Sequence, residues 1–242
     1  MNHCATTLLP AMPARRWASA AISILWLATS PATAGILFRD AVGLGLEIPD
    51  GSLAGLVHSL SITDAPSQPI ASVRVGLELS APGNDGFLGD LYVTLLHDTG
   101  YTVLLNRPGR TSANPFGYSD GGPVEIVFAD DALRDVHNYR SELAGGGVGS
   151  PLAGALTGVW APTGRTTDPL LVLDTDARPS GLGNLAGLNA NGSWALFLAD
   201  VSSGGSYQLD GWSLEIVLVP EPATGAATLA VGLLAWVYIR RR

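Results

Sequence analysis

The chain has 242 residues and a formal net charge of −8 at pH 7, because 21 aspartates and glutamates oppose 13 arginines and no lysine. A nucleic-acid partner is not expected, since binding to phosphates needs a basic surface. The single cysteine, Cys4, lies near the N-terminus, ahead of Met12, which is an alternative start to Met1. The remaining chain has no thiol for a disulfide framework, a cysteine nucleophile or a zinc–thiolate site.

Residues 1–34 carry the pattern of a secretory signal peptide. An Arg-Arg pair at 15–16 precedes an apolar run at 17–27, and small residues follow, including Ala32 and Ala34. A charged region, an apolar region and small residues at the two positions that signal peptidase reads define such a signal. We therefore predict cleavage after Ala34 and export of the remaining chain.

Residues 35–218 consist of short runs in which polar and apolar residues alternate, separated by Gly, Pro, Asn and Asp. Alternation with a period of two and frequent turn residues is typical of an all-β sandwich or barrel. About eight or nine strands suit a two-sheet jelly roll. The strands are predicted at 44–48, 56–62, 72–79, 90–97, 101–105, 124–128, 194–198 and 212–218.

The last two predicted strands carry large aromatic residues on their apolar faces. Trp194 lies on the apolar face of the strand at 194–198, and Trp212 lies on the apolar face of the strand at 212–218. Each aromatic side chain can bury on the order of 150–250 Å². We expect these two strands to close the core. Residues 132–190 are instead rich in glycine and proline and predict long loops, with one short helical turn within 132–143.

The C-terminal tail, residues 219–242, has three parts in a fixed order. Pro220, Glu221 and Pro222 come first, an uncharged apolar stretch at 223–239 follows, and three arginines end the chain. About 17 residues of helix rise roughly 25 Å, the low end of what spans a bilayer. Terminal arginines favour the cytoplasmic side, whereas a buried helix of the folded domain is disfavoured because it would be apolar all round. The predicted anchor includes Ala223, Leu229, Leu233, Trp236, Ile239, Arg240, Arg241 and Arg242.

The tail resembles the PEP-CTERM sorting domain, in which a Pro-Glu-Pro tripeptide, an apolar span and a basic terminus occur together. The resemblance implies export in a Gram-negative bacterium and processing near the tripeptide by an exosortase-type enzyme. It further implies a protein that is anchored in the inner membrane facing the periplasm before processing. The processed protein then reaches the cell surface or the extracellular matrix.

Several short motifs occur between residues 48 and 216, and the most specific are Asn-Gly-x-Trp at 191–194 and Gly-Trp-x-Leu at 211–214. These motifs resemble the P domain of subtilisin-like proprotein convertases, also called the P/Homo B domain. The resemblance implies a β-jelly roll with no chemistry of its own, which in the convertases stabilises the neighbouring protease. Further matching segments are 48–50, 70–79, 89–95, 128–132, 195–200, 209–210 and 215–216.

Four aspartates in these motifs are candidate calcium ligands: Asp90, Asp130, Asp131 and Asp200. They are predicted in loops or at strand ends, where carboxylates and loop carbonyls suit Ca²⁺. Aspartates also favour turns for another reason, because their side chains accept hydrogen bonds from backbone amides. Calcium is thus a possible cofactor, and the turn interpretation stands beside it.

No catalytic constellation is recognisable between residues 35 and 218. Only His58, His97 and His137 could serve as a base, and none belongs to a catalytic signature. His58 and His97 lie in or at the end of predicted strands, where half-exposed structural histidines are expected. The sequence therefore predicts a protein that is not an enzyme.

Three functions from different classes fit these features. The first is a non-catalytic surface or exopolysaccharide-matrix module, in which loop tyrosines such as Tyr118, Tyr139 and Tyr207 are predicted to be exposed and could stack on sugars. The second is an accessory domain that acts in trans with a secreted subtilisin-like serine protease. The third is a hydrolase without a recognised site. The acidic charge, the sorting tail and the lack of a catalytic signature favour the first.

Overall fold

The computed structural model describes residues 34–221 apart from 148, together with residues 236, 238 and 240. The chain divides into two units, one formed by residues 32–222 and the other by residues 1–31 and 223–242. The predicted signal peptide, apart from Ala34, and most of the predicted anchor lie outside the described residues. Among the described residues, no helix has the length and apolar character needed to cross a membrane.

Nine strands form two sheets in the described domain. The five-stranded sheet has the order β1-β9-β3-β6-β7 and the four-stranded sheet the order β2-β8-β4-β5. Every pair is antiparallel except β6 with β7. The strands are β1 Ile36–Glu47, β2 Ser52–Ile62, β3 Ile70–Ser80, β4 Leu91–His97, β5 Gly100–Asn106, β6 Val124–Phe128, β7 Leu156–Trp160, β8 Gly192–Asp200 and β9 Gln208–Leu218.

The helical segments are short and connect the strands. One α-helix, α1, spans Tyr139–Leu143, inside the segment where a helical turn is predicted. The 3₁₀ turns are Pro82–Asn84, Leu88–Asp90, Val136–Asn138 and Leu182–Leu185. An all-β architecture with two sheets is therefore confirmed.

The core lies between the sheets, because alternate residues of each central strand point inward. In β3, Val73, Val75, Leu77 and Leu79 are all at most 3% exposed. The predicted faces of β8 and β9 are likewise buried, including both tryptophans. Trp194 donates to the backbone oxygen of Ala190 at 3.0 Å, so its indole N–H is satisfied inside the core.

The first strand begins eight residues before the predicted position, at Ile36 instead of Leu44. Residues 36–42 pair with β9, and the register then shifts between Val42 and Leu46. Gly43 and Gly45 adopt φ values of +65° and +56° at this irregularity. Two glycines typical of a turn therefore mark a bulge inside one long strand.

Strand β7 lies in the segment predicted to be loops, so that part of the prediction is wrong. Leu156 and Trp160 are buried, while the three residues between them are exposed, so the strand shows no alternation. Its partner β6 runs parallel to it. Parallel pairing needs a long crossover, so no hairpin signal marks this strand in the sequence.

Candidate binding site

A pocket of about 680 Å³ opens where the start of β4 and the end of β8 meet two loops. Its wall includes Phe87, Asp90, Phe116, Tyr118, Ser202 and Ser203. Phe116 is 77% exposed and Phe87 is 36% exposed, so two aromatic side chains stand at the solvent boundary. The pocket thus combines apolar rings with a carboxylate.

Arg107 connects the two sides of this pocket. Its guanidinium donates to Oδ1 of Asp90 at 2.9 Å and to the backbone oxygen of Gly89 at 2.9 Å. A longer bond of 3.4 Å reaches the backbone oxygen of Phe116. Both members of the Arg107–Asp90 pair are at least nine-tenths buried, so the pair is shielded from water. The loop that carries Phe116 is therefore held against the start of β4.

Two glycines allow the same loop to approach the start of β4. Gly89 donates its N–H to the backbone oxygen of Tyr118 at 2.7 Å. A Cβ atom at Gly89 would lie 2.5 Å from the backbone nitrogen of Tyr118, and Gly117 adopts a φ of +76°. Larger residues at 89 and 117 would separate the two backbones. The loop that carries Phe116 therefore packs against the start of β4 through backbone contacts.

Asp200 lies at the end of β8, directly before the loop that lines the pocket. The residue is 0% exposed, and its Oδ2 atom has no hydrogen-bond partner among the described residues. Oδ1 receives one long bond of 3.4 Å from the N–H of Ser202. Burial, together with the nearby charges of Asp90 and Asp50, raises the pKa of Asp200 to about 7. A buried carboxylate with one free oxygen favours the protonated form.

Asp90 shares this environment but has a cationic partner. Burial raises the pKa of its carboxyl group, and the charge and hydrogen bond of Arg107 oppose that effect. Asp50, on the neighbouring loop, accepts from the N–H of Gly204 at 3.2 Å. Asp90 thus lines the pocket, while Asp50, Asp200 and Arg107 lie near Asp90 outside the lining.

The four predicted calcium ligands do not all contact the same residues. Asp90 and Asp200 are brought together, because Leu91 pairs with Asp200 across β4 and β8. Asp130 instead accepts from the N–H of Leu182 at 2.9 Å and thereby caps a 3₁₀ turn.

Asp131 forms a surface ion pair with Arg74 at 2.8 Å. Within the described part of the chain, no group of three or more His, Asp or Glu side chains is arranged to hold a metal ion.

The histidines are held by backbone carbonyl groups. His97 is 1% exposed, so the prediction of a half-exposed side chain is wrong for this residue. Its Nδ1 and Nε2 atoms lie 3.0 Å and 2.6 Å from the oxygens of Ser193 and Asn189, and its ring stacks on Trp194. The turn that leads into β8 covers the end of β4, which the strand pattern alone does not reveal. His58, as predicted, is half-buried and accepts from the indole N–H of Trp212 at 2.9 Å.

His137 is fully buried between two loops. Its Nδ1 atom lies 3.2 Å from the backbone oxygen of Asn106, and its Nε2 atom lies 3.0 Å from that of Arg110. Burial, followed by the charge of Arg165, lowers the pKa of the imidazole. A histidine in this position supports the neighbouring loops and is closed to solvent.

Two of the three loop tyrosines predicted to be exposed are buried. Tyr139 and Tyr207 are 0% exposed, and both hydroxyl groups donate to Asp120, one to its carboxylate and one to its backbone oxygen. The prediction was wrong because loop position alone does not reveal burial. Tyr118 is half-buried, and the guanidinium of Arg140 lies 4.6 Å from its ring centre.

Comparisons with known proteins return few matches. No family model matches the chain, and no curated protein matches it significantly. Among solved structures, the chain is similar to the serine protease of Aeromonas sobria, with 16% identity and a TM-score of 0.41. The match covers 77% of this chain and 27% of that protease. The complex of that protease with its chaperone gives the same identity, coverage and TM-score.

Proposed function

We propose that this chain is a non-catalytic exported protein that its C-terminal tail delivers to the cell surface or the exopolysaccharide matrix. The observation that carries the proposal is the tail sequence, which starts where the last strand ends. Strand β9 stops at Leu218, and Pro220, Glu221 and Pro222 follow within four residues. A sorting segment at this position can be cut without removing any strand of the domain.

Three described residues of the tail support a helical anchor. Trp236, Tyr238 and Arg240 are helical, and the guanidinium of Arg240 lies 4.5 Å from the ring of Trp236. Arginine and tryptophan are both favoured at membrane interfaces. The proposal places residues 223–239 in the inner membrane before processing, with the domain facing the periplasm. An exosortase-type enzyme is the proposed processing partner.

The environments of the histidines support a non-catalytic role. A general base needs an accessible ring nitrogen within hydrogen-bond reach of its substrate. In His97 and His137 both ring nitrogens already lie within 3.2 Å of backbone oxygens. Neither can accept a proton from a substrate unless these loops rearrange. We therefore propose a jelly roll of the P-domain type that binds a ligand or supports a surface structure.

An accessory role beside a secreted subtilisin-like protease is the other function that the P-domain resemblance implies. It shares the export step with the first proposal and differs in the partner. The two are distinguished by the protein that co-purifies with the exported domain. A stable association with a protease would favour the accessory role, whereas recovery with matrix polysaccharide would favour the surface or matrix role.

Replacing Arg240, Arg241 and Arg242 by glutamine tests the role assigned to the tail. Without the cytoplasmic charges, the apolar segment loses the determinant of its orientation. We expect loss of C-terminal processing and accumulation of the unprocessed chain away from the surface fraction, as measured by fractionation and immunoblotting. Arg74→Gln is the matched control, because this arginine lies on the domain surface. Normal processing of the triple variant would contradict the proposal.

A further inference from the structure

We propose that the pocket beside β4 binds a cationic group on an apolar stem, such as an arginine or lysine side chain of a partner peptide. The charged end would lie near Asp90, and the stem would lie against Phe87 and Phe116. This inference goes beyond the proposed function, because a sorting tail assigns the protein a destination but no ligand.

The charges around the pocket are the first argument. Asp90 lines the pocket, Asp50 and Asp200 lie near Asp90, and Arg107 is the one cation that bonds to these carboxylates in the described structure. The guanidinium of Arg107 is already shared between the Asp90 carboxylate and two backbone oxygens. An added cation would reduce the repulsion among the carboxylates, whereas an anion would increase it.

Asp200 is the second and independent argument. Leaving a fully buried carboxylate oxygen without a hydrogen bond destabilises the folded protein. Native proteins rarely keep a buried polar atom without a hydrogen-bond partner. The residues that follow it, Val201, Ser202 and Ser203, line the pocket directly. A cation bound beside these residues would therefore favour the ionised form of Asp200, which burial disfavours in the free protein.

The aromatic rim is the third argument. Phe116 keeps 77% of its surface exposed although its backbone is fixed by Arg107 and by hydrogen bonds of the neighbouring loop. A rigid, exposed ring next to carboxylates is suited to a guanidinium or ammonium group, which is attracted to a ring face within about 6 Å. The alkyl stem of such a side chain would also remove part of Phe87 and Phe116 from water.

The experiment uses the full-length chain in neutral detergent micelles and a peptide with one arginine, acetyl-Gly-Arg-Gly-amide. The control peptide contains citrulline, which has nearly the same shape but no charge. We expect the arginine peptide to shift backbone NMR signals of residues 87–90, 116–119 and 201–204. Added salt should weaken this binding, because the attraction is electrostatic.

Phe116→Ala is expected to lower the affinity for the arginine peptide about three- to tenfold. Phe38→Ala is the matched control, since Phe38 is 56% exposed on β1 and does not line the pocket. Because the Phe116 side chain is largely exposed, its removal should leave the fold intact, which the NMR spectrum of the free variant verifies. A second variant, Asp50→Asn, should weaken binding and reduce its salt dependence.

Three results would overturn the proposal. The first is equal affinity for the arginine and citrulline peptides. The second is binding that Phe116→Ala leaves unchanged. The third is absence of peptide binding together with signal shifts at the pocket by a neutral sugar such as maltotriose, which would assign the pocket to carbohydrate.

Discussion

An Asp120→Ala variant is expected to lose about 3–5 kcal/mol of the free energy of unfolding. The Asp120 carboxylate accepts from the hydroxyl group of Tyr139, from Nε of Arg140 at 2.8 Å and from the N–H of Leu152 at 2.8 Å. Its side chain is 5% exposed, and that of Arg140 is 13% exposed. Removing the carboxylate leaves a partly buried cation and two polar groups without their acceptor.

Asp131→Ala is the matched control for this measurement. The Asp131 side chain is 72% exposed, and its ion pair with Arg74 lies in water. Exposed ion pairs contribute about 0–1 kcal/mol, so this variant should unfold almost as the unmodified chain does. Denaturant unfolding of the full-length chain in neutral detergent, followed by tryptophan fluorescence, measures both. Equal losses in the two variants would show that the Asp120 cluster does not stabilise the fold.

Asp200→Asn is expected to raise the free energy of unfolding at pH 8 by about 1–3 kcal/mol. The unmodified carboxylate is buried, has one unpartnered oxygen and lies near Asp90 and Asp50. An asparagine removes the buried charge and keeps an oxygen that can accept from the N–H of Ser202. Its amide also offers a donor to the neighbouring carboxylates.

The stabilisation should depend on pH with a definite sign. The pKa of Asp200 is raised in the folded state from 3.8 to about 7. Its protonated form therefore contributes stability that is fully present below pH 3.8 and is lost as the pH rises through about 7. The gap between Asp200→Asn and the unmodified chain should widen from pH 5 to pH 8. Asp40→Asn, on the exposed side of β1, is the control and should show no such trend.

The sequence predicted strands best where alternation was regular and bounded by turn residues. Strand β6 occupies the predicted residues 124–128, because it alternates cleanly and follows two glycines and a proline. Strand β1 was predicted too short because glycines at a bulge look like glycines at a turn. Strand β7 was missed because its middle residues are exposed. The local pattern of polar and apolar residues does not show which distant strand will pair with a given segment.

The candidate site was predicted only in part. Asp90 and Asp200 were predicted as calcium ligands because they lie in the P-domain-like motifs at loops or strand ends, and the structure does bring these two together. Arg107, the partner of Asp90, could not be identified from the sequence. It lies 17 residues after Asp90 and comes close to it because β5 runs antiparallel to β4. Phe116 lies in a loop with no periodic pattern. An isolated phenylalanine between proline and glycine was the available signal, and it does not specify a pocket.

The start of β1 and the end of β9 lie side by side in the five-stranded sheet. Ile36 pairs with Val217, and the N–H of Leu218 donates to the backbone oxygen of Gly35 at 2.8 Å. The predicted signal cleavage site at Ala34 therefore lies beside the start of the tail at Val219. Cleavage at either position would leave the paired strands complete. A protein processed at both ends could thus keep its fold.

Fractionation of the native host, with mass mapping of both chain ends, tests whether the tail sorts an exported domain. We predict a mature chain that begins at Gly35, ends near Pro222 and is recovered from the surface or matrix fraction. A cytoplasmic protein that retains residues 1–34 would contradict this account. So would a surface protein whose mature chain still ends at Arg242.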